Sequence, residues 1–534
     1  MAKLIDLPNE LLECIFDYAI PEPPPPPRTP GDNLDTPSRA MFPFNVASMC
    51  IRCLEVLKSN GKYWRHVVID LADDPTGFLD TFSLFEVKNN VYQPGITVTV
   101  FSSDTEDFQR FGTPGMPTRM VHKSVENSRA RVVFQNLERS LERCSTIQIQ
   151  LVYQSSLPSM SFFVTRSNPL LRNLTLTSLI HDEQLCDSVN SLPLPLTKYP
   201  GSRNAFPRLS NISLTGKCFM ELCVFGPHWV LLLKPSASSS VFQIAINHYR
   251  FDNDREVEVF YDSIASLRPT HTLTLSNLTL GYTSQYRFSV SRFHPPLTAS
   301  HIFFDSVSRQ FLTEFLPRMM YCDPQFVLVS LKNTSIPSIR HLTTKTGSPT
   351  LPLLQLIDMS GSPQDISLYS SIATFGAEHV RLLRCEGVTD GLLYPLSVST
   401  NPRAAKMKAL ELHDCADFTS EGLRALVIDR QCMHNEEPTE FNELQAIDVH
   451  GVGPPLSEDD ATWFLDAKLN STQVEWNVER TRAAQDGYLT DLRPSHITRN
   501  ILEDAIDGWC VGNSSKSDMY TLSWRETSGF LLFD

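Results

Sequence analysis

The sequence has no apolar run long enough to cross a membrane. Its best candidate, residues 229–233, falls far short of the roughly 18 residues that a span requires. A secretory signal is also missing at the start, because the acidic Asp6 follows the first methionine too closely. The twelve cysteines are scattered singly, without the spacing of a disulfide framework. These absences predict a soluble protein with reduced thiols, in the cytoplasm or the nucleus.

Basic residues are in the minority: 46 lysines and arginines stand against 60 acidic residues, and the net charge is −14. A protein that binds by neutralising phosphate groups usually carries an excess of positive charge. Anionic membrane surfaces likewise attract basic segments. We therefore expect neither nucleic acid nor a membrane among the partners.

The motifs of common enzyme classes are missing as well. The sequence contains no glycine-rich phosphate loop, no Gly-x-Ser-x-Gly elbow and no His-Glu-x-x-His zinc motif. The pair Cys50-x-x-Cys53 has no second pair and lies on the apolar face of a predicted helix, which favours core thiols over a zinc site. The sequence predicts a protein that is not an enzyme and that uses no cofactor.

With 534 residues, the chain is too long for one compact core. Hydrophobic residues make up 41% and charged residues 20%, so the composition is that of a globular protein. Two arrangements fit this length: several compact domains, or a small domain joined to a long repeat array.

Two helices are predicted near the N-terminus. Residues 7–19 contain Pro8, which suits a first helical position, and they carry a single apolar stripe. Residues 45–59 place apolar side chains at i, i+3, i+4, i+7, i+8 and i+11, and the following Asn60-Gly61 indicates a helix end. The proline-rich residues 21–42 between them should be extended, either as a spacer, which we favour, or as a ligand for an aromatic groove.

The segments Leu-Pro-x-Glu-Leu-Leu-x-x-Ile-Phe, Val-Ala-Ser-Met-Cys-x-Arg and Tyr-Trp-Arg, within residues 4–70, together resemble an F-box. That family's short helical module docks on the Skp-type adaptor of cullin-RING ubiquitin ligases. The resemblance implies the same partner for this chain. It implies adaptor-binding roles for Leu7, Pro8, Leu11, Leu12, Ile15, Phe16, Cys50 and Trp64.

Further along the chain, two apolar residues separated by one position recur as strand candidates. Twelve such pairs run from Ile147/Ile149 to Val474/Trp476, at intervals of 23 to 38 residues, and they include Ile357/Met359. Most intervals lie in or near the about 20–29 residues of leucine-rich repeats. The pattern predicts an array with one strand in each repeat.

Two repeats agree in detail. In one, the strand Leu410/Leu412 is followed by Cys415 and Thr419, and in the other Val380/Leu382 is followed by Cys385 and Thr389. They resemble the cysteine-containing leucine-rich repeats found after F-boxes. Inward leucines, a buried cysteine at the strand end and a threonine that caps the return helix make this pattern physically consistent.

The same register places charged residues on one outward face of the last strands. Two imidazoles and two carboxylates on adjacent strands are capable of metal binding, but we favour a solvated polar face, because nothing in the sequence fixes a ligand geometry. The charge is concentrated at the C-terminal end and is mostly acidic, which predicts a site for a basic segment of a target protein. The predicted target-binding residues are Asp358, Arg381, Glu411, His413, Asp448, His450 and Glu475.

Together these patterns predict an α/β fold: a small helical F-box-like module followed by an irregular leucine-rich-repeat solenoid. The predicted boundaries are residues 1–70 for the module, 71–145 for a connecting segment or cap, 146–490 for the array and 491–534 for a C-terminal cap and tail. The resemblance implies a substrate-recognition subunit of a cullin-RING ubiquitin ligase. The alternative is a repeat-protein scaffold that binds partners without any ligase role.

Overall fold

The structure is a computed structural model of the chain. It describes residues 7–19, 46, 49–59, 63, 66–76, 79, 95–103, 117–164, 168–182, 206–225, 233, 242–269, 271–283, 296–321, 326–334, 351–359, 367–397, 404–465 and 472–478.

Fourteen strands form an open, all-parallel sheet in which the strand order is the chain order. The chain divides into two compact units between residues 249 and 250. The first unit holds β1 (His66–Asp70), β2 (Ile96–Phe101), β3 (Cys144–Tyr153), β4 (Asn173–Ile180), β5 (Asn211–Thr215) and most of β6 (Gln243–Phe251). The second holds β7 (Thr272–Leu280), β8 (His301–Asp305), β9 (Leu328–Lys332), β10 (Leu351–Ile357), β11 (Ala377–Leu383), β12 (Ala409–His413), β13 (Ala446–Gly451) and β14 (Gln473–Val478).

Helices lie between the strands because parallel neighbours need a crossover connection. The described part of the first unit contains α1 (Asn9–Ala19), α2 (Ile51–Ser59), α3 (Pro117–Leu137), α4 (Ser161–Val164) and α5 (Gly216–Phe225). The described part of the second contains α6 (Asp254–Leu267), α7 (Arg309–Tyr321), α8 (Ser367–Phe375), α9 (Asp390–Ser397), α10 (Ser420–Glu436) and α11 (Glu458–Leu465). None of these eleven helices is long and apolar enough to cross a lipid bilayer.

The predicted fold class is wrong in its architecture. The chain has an α/β fold with a fourteen-stranded parallel sheet, and not a small helical module followed by a leucine-rich-repeat solenoid. Strand pairing already begins at β1, beside the N-terminal helices. From β9 to β13 nearly every strand residue is buried, whereas the prediction required one solvated face. Burial on both faces is typical of parallel sheets in α/β proteins.

Most predicted strand positions are nevertheless confirmed. The pairs of β11, β12 and β13 lie side by side in the structure, as Val380 with Leu410 and Leu410 with Ile447. The exception is β10, where Leu354 occupies the position that the prediction gave to Ile357. Apolar residues fill this strand almost continuously, so the alternation that sets a register is missing there.

The helix predictions hold with shifted ends. The first predicted helix is α1, which begins one residue after Pro8, and the C-terminal part of the second is α2, which begins at Ile51. Thr419 caps α10 as expected, since its Oγ1 accepts a hydrogen bond from the N–H of Gly422 at 3.0 Å. The proline-rich insert and the C-terminal cap lie outside the described residues. The domain boundaries at 70, 145 and 490 stay predictions.

The strands of the second unit end in a shared turn. A residue with a φ between 48° and 71° stands at or just after the end of each strand from β8 to β13: Ser306, Asn333, Asp358, Arg384, Asp414 and Gly451. Each of the first five donates its backbone N–H to a carbonyl at the end of the next strand, over 2.8–3.0 Å. These turns therefore continue the ladder of hydrogen bonds beyond the strands.

Replacing Gly451 by alanine should destabilise the second unit. A Cβ there would lie 2.2 Å from Asp414 Oδ1, and the φ of +71° disfavours any side chain. We expect the free energy of unfolding to fall by about 1–3 kcal/mol in urea denaturation. Gly391→Ala is the matched control, because Gly391 lies in α9 and the nearest atom to its Cβ would be the rotatable Thr389 Oγ1 at 3.3 Å. Equal stability of the two variants would contradict the turn geometry.

Candidate functional site

The two N-terminal helices form a small core of their own in the first unit. Its buried members are Leu12, Phe16, Cys53, Val56, Leu57 and Tyr63. The rings of Phe16 and Tyr63 meet edge to face with centroids 6.0 Å apart, and the Tyr63 hydroxyl donates to the Glu13 carbonyl over 3.1 Å. The Arg52 guanidinium donates to Asn9 Oδ1, which ties the start of α1 to α2.

This core leaves a set of large apolar side chains facing solvent. Leu11 and Ile15 on α1 are 49% and 41% exposed, and Ile51 on α2 is 77% exposed. Tyr18 and Met49 are exposed as well. Exposed apolar side chains grouped on one small helical element mark surfaces that partners cover. We call these five residues the exposed helix surface.

The predicted adaptor-binding residues differ in how far they are buried. Leu12 and Phe16 are buried inside the helix pair, so they support the surface and do not belong to it. Leu7 and Cys50 pack partly against the core, and Pro8 is exposed. Leu11 and Ile15 belong to the exposed helix surface. Trp64 lies outside the described residues.

In the second unit, the predicted register brings charged residues of four strands into one row. Arg381 is directly opposite Glu411, Glu411 is opposite Asp448, and Asp448 is opposite Glu475. His413 and His450 form a second pair two residues further along β12 and β13. The predicted cross-strand pairing of these residues is therefore confirmed. We call these six residues the strand row.

Asp358 does not lie in the strand row. The structure places Gln355 opposite Arg381, and Asp358 follows the end of β10. There its carboxylate oxygens accept hydrogen bonds from Arg384 Nε and Nη2 over 2.6 and 2.9 Å. Asp358 and Arg384 thus join the turns after β10 and β11.

The centre of the strand row is buried, so the predicted solvated face is wrong there. Glu411 and Asp448 are 1% and 0% exposed, and Arg381 is 7% exposed. His413, His450 and Glu475 are half-buried and keep access to solvent. A partner is able to contact these three residues directly, whereas the buried members act through their neighbours.

Glu411 is the hub of this row. Its carboxylate accepts a two-pronged contact from the Arg381 guanidinium, with Nη2 to Oε1 at 3.2 Å. His379 Nε2 lies 3.1 Å from Oε1, and His413 Nε2 lies 3.4 Å from Oε2. Burial alone would raise the pKa of Glu411, but Arg381 and the two histidines together hold that pKa well below its usual range.

His379 was not among the site residues predicted from the sequence. It lies two residues before Arg381 on β11, so strand alternation puts the two side chains on the same face. The same period of two that identified Glu411 and His413 was sufficient to find it. With His379 included, three basic side chains contact the Glu411 carboxylate.

A different part of the row carries the side chains suited to metal binding. Asp448, His450 and Glu475 bring one ligand atom each within 4.8 Å of one another. The ring of His450 stacks on that of His413, with centroids 5.0 Å apart and planes 24° apart. Among the described residues, Asp448, His450 and Glu475 are the one group of imidazole and carboxylate side chains that lie close enough together to hold a metal ion.

In comparisons with known proteins, no protein-family model matches the chain and no curated protein matches it. The indications of function therefore come from the exposed helix surface and the strand row.

Replacing Glu411 by glutamine should destabilise the second unit, because Arg381 would stay buried without its carboxylate. Breaking a buried ion pair from one side costs about 3–5 kcal/mol, which denaturant titration measures. The matched control is Glu378→Gln. It breaks the more exposed contact of Glu378 with Lys408, 2.8 Å long, and should cost less than about 1 kcal/mol.

Comparison of the unchanged chain with Glu411→Gln at low pH tests the same contact. The pKa of Glu411 is lower in the folded chain, so its stabilisation is complete above the unfolded pKa of about 4.3. It is lost as the pH falls from that value towards the folded pKa. The unchanged chain should lose this contribution below about pH 4, whereas Glu411→Gln should lack it at every pH. An identical acid response in both proteins would refute the assignment.

Proposed function

We propose that this chain is a substrate-recognition subunit of a cullin-RING ubiquitin ligase, in the cytoplasm or the nucleus. The N-terminal helices would dock on the Skp-type adaptor, and the parallel-sheet region would bind the target protein. In this role the chain itself catalyses no reaction. The F-box resemblance of residues 4–70 motivates the proposal, and the exposed helix surface is the observation that supports it.

The helix pair leaves several large apolar side chains exposed to solvent. Leu12 and Phe16 are buried in its small core, whereas Leu11, Ile15 and Ile51 remain at the surface. Fully burying a side chain of this kind is worth about 1.5–3 kcal/mol. A partner that covers them would therefore gain several kcal/mol without any change in the helices. An adaptor that binds a helical module through an apolar groove has this chemistry.

The test is capture of a purified Skp-type adaptor by the full chain. Leu11→Ser combined with Ile15→Ser should weaken the adaptor complex at least about tenfold and leave the thermal unfolding of the chain unchanged. The matched control is Met120→Ser with Val121→Ser on α3, where both side chains are 70% and 62% exposed. This control should keep full adaptor binding.

Undiminished adaptor binding by the α1 variant, or no binding by the unchanged chain, would refute the ligase role. The second result would favour an interaction scaffold without a ligase.

Target binding is proposed at the accessible end of the strand row, formed by His413, His450 and Glu475. The support is their partial exposure and the contact of His413 with the buried Glu411. In a second capture experiment, from cell extract, Glu475→Lys should keep the adaptor and lose proteins that the unchanged chain retains. Asp459→Lys, an exposed acidic position on α11, is the control. An identical set of proteins for both would place target binding elsewhere.

A further inference from the structure

The side chains of Asp448, His450 and Glu475 converge at the edge of the strand row. Asp448 and His450 lie two residues apart on β13, so both project from one face, and Glu475 is directly opposite Asp448 on β14. Their ligand atoms lie within 4.8 Å of one another. Ligands around one Zn²⁺ ion lie about 3.5 Å apart, given bond lengths of about 2.0–2.2 Å. Ion binding at this spacing requires the half-buried side chains of His450 and Glu475 to move inward.

Neighbouring residues hold two of these side chains in place. The ring of His413 stacks on the ring of His450 and limits its rotation. Asn477 Nδ2 donates to Glu475 Oε1 over 2.8 Å, which leaves Oε2 for another partner. Metal ligands in proteins are typically oriented by such outer contacts. Both supports are contacts between the described residues and do not require an ion to be bound.

The charges of the row give an independent reason for a cation here. Glu411, Asp448 and Glu475 stand directly opposite one another on three adjacent strands, an arrangement in which like charges repel. Arg381, His379 and His413 all contact Glu411, at one end of this series. Asp448 is fully buried between them. A divalent cation between Asp448 and Glu475 would offset that repulsion at the other end.

We propose that Asp448, His450 and Glu475 bind one divalent transition-metal ion, of which Zn²⁺ is the representative. One imidazole nitrogen with two carboxylate oxygens suits Zn²⁺ or Mn²⁺, whereas Mg²⁺ and Ca²⁺ prefer oxygen ligands alone. Three protein ligands leave a further position for water. The site lies within the second unit and does not depend on the adaptor-docking role proposed above.

The test is calorimetric titration of the metal-free full chain with ZnCl₂ at neutral pH, repeated with MgCl₂. The expected result is saturable binding of one Zn²⁺ per chain. His450→Ala and Glu475→Gln should each weaken this binding by more than about tenfold. The matched control is Glu440→Gln, an exposed acidic residue away from the row, which should bind Zn²⁺ like the unchanged chain.

Circular dichroism of the metal-free variants checks that each is folded. Both substituted side chains are half-buried, and Glu475→Gln keeps the size and shape of the side chain, so this variant decides the matter if His450→Ala is unstable. Retention of unchanged Zn²⁺ affinity by Glu475→Gln, absence of saturable binding, or equal affinity for Mg²⁺ would each overturn the proposal.

Discussion

The in-register pairing of parallel strands is the constraint on which the rest of the structure depends. Each strand pairs with its neighbour in the chain, so residues at equivalent positions stand side by side. This pairing sets Arg381 beside Glu411 and Asp448 beside Glu475, although some 30 residues separate each pair in sequence. It also aligns the left-handed residues that end the strands, such as Arg384 and Asp414. A slip by one residue would move every member of these rows to the opposite face.

Burial determines how strongly the ion pairs in these rows affect the stability of the fold. An exposed ion pair contributes little to stability, because water screens it and two long side chains must be ordered. Glu411 lies in a different setting, where a guanidinium and two imidazoles replace the water that burial removes. The pair is costly to break and only modestly favourable to form, which makes it a device for fixing the register of β11 and β12 more than a source of net stability.

The two candidate sites lie in different units and have different physical character. The helix pair has exposed apolar side chains such as Leu11 and Ile51, and a partner that covers them gains free energy because they leave water. The strand row has half-buried polar groups such as His450 and Glu475, which would bind a ligand through their charge and the spacing of their atoms. The two binding roles proposed above rest on this difference.

Local sequence patterns predicted the strands and the row better than the architecture. The pairs Leu410/Leu412 and Ile447/Val449 alternate with polar residues, so their register and the pairing of Glu411 with Asp448 followed correctly. In β10 the run from Leu351 to Ile357 is nearly all apolar, and the prediction slipped by three residues and drew Asp358 into the row. Alternation shows which side chains share a face, but not what covers that face.

The burial of Glu411 therefore could not be predicted from the sequence, and neither could the open fourteen-stranded sheet. The most direct test of the register is a double-mutant cycle on Arg381→Met and Glu411→Met, with the free energy of unfolding measured for all four proteins. The account predicts a coupling free energy above about 1.5 kcal/mol, the range found for close charge pairs in contact. A coupling near zero would mean that the two side chains do not meet, and it would contradict the strand register on which the strand row depends.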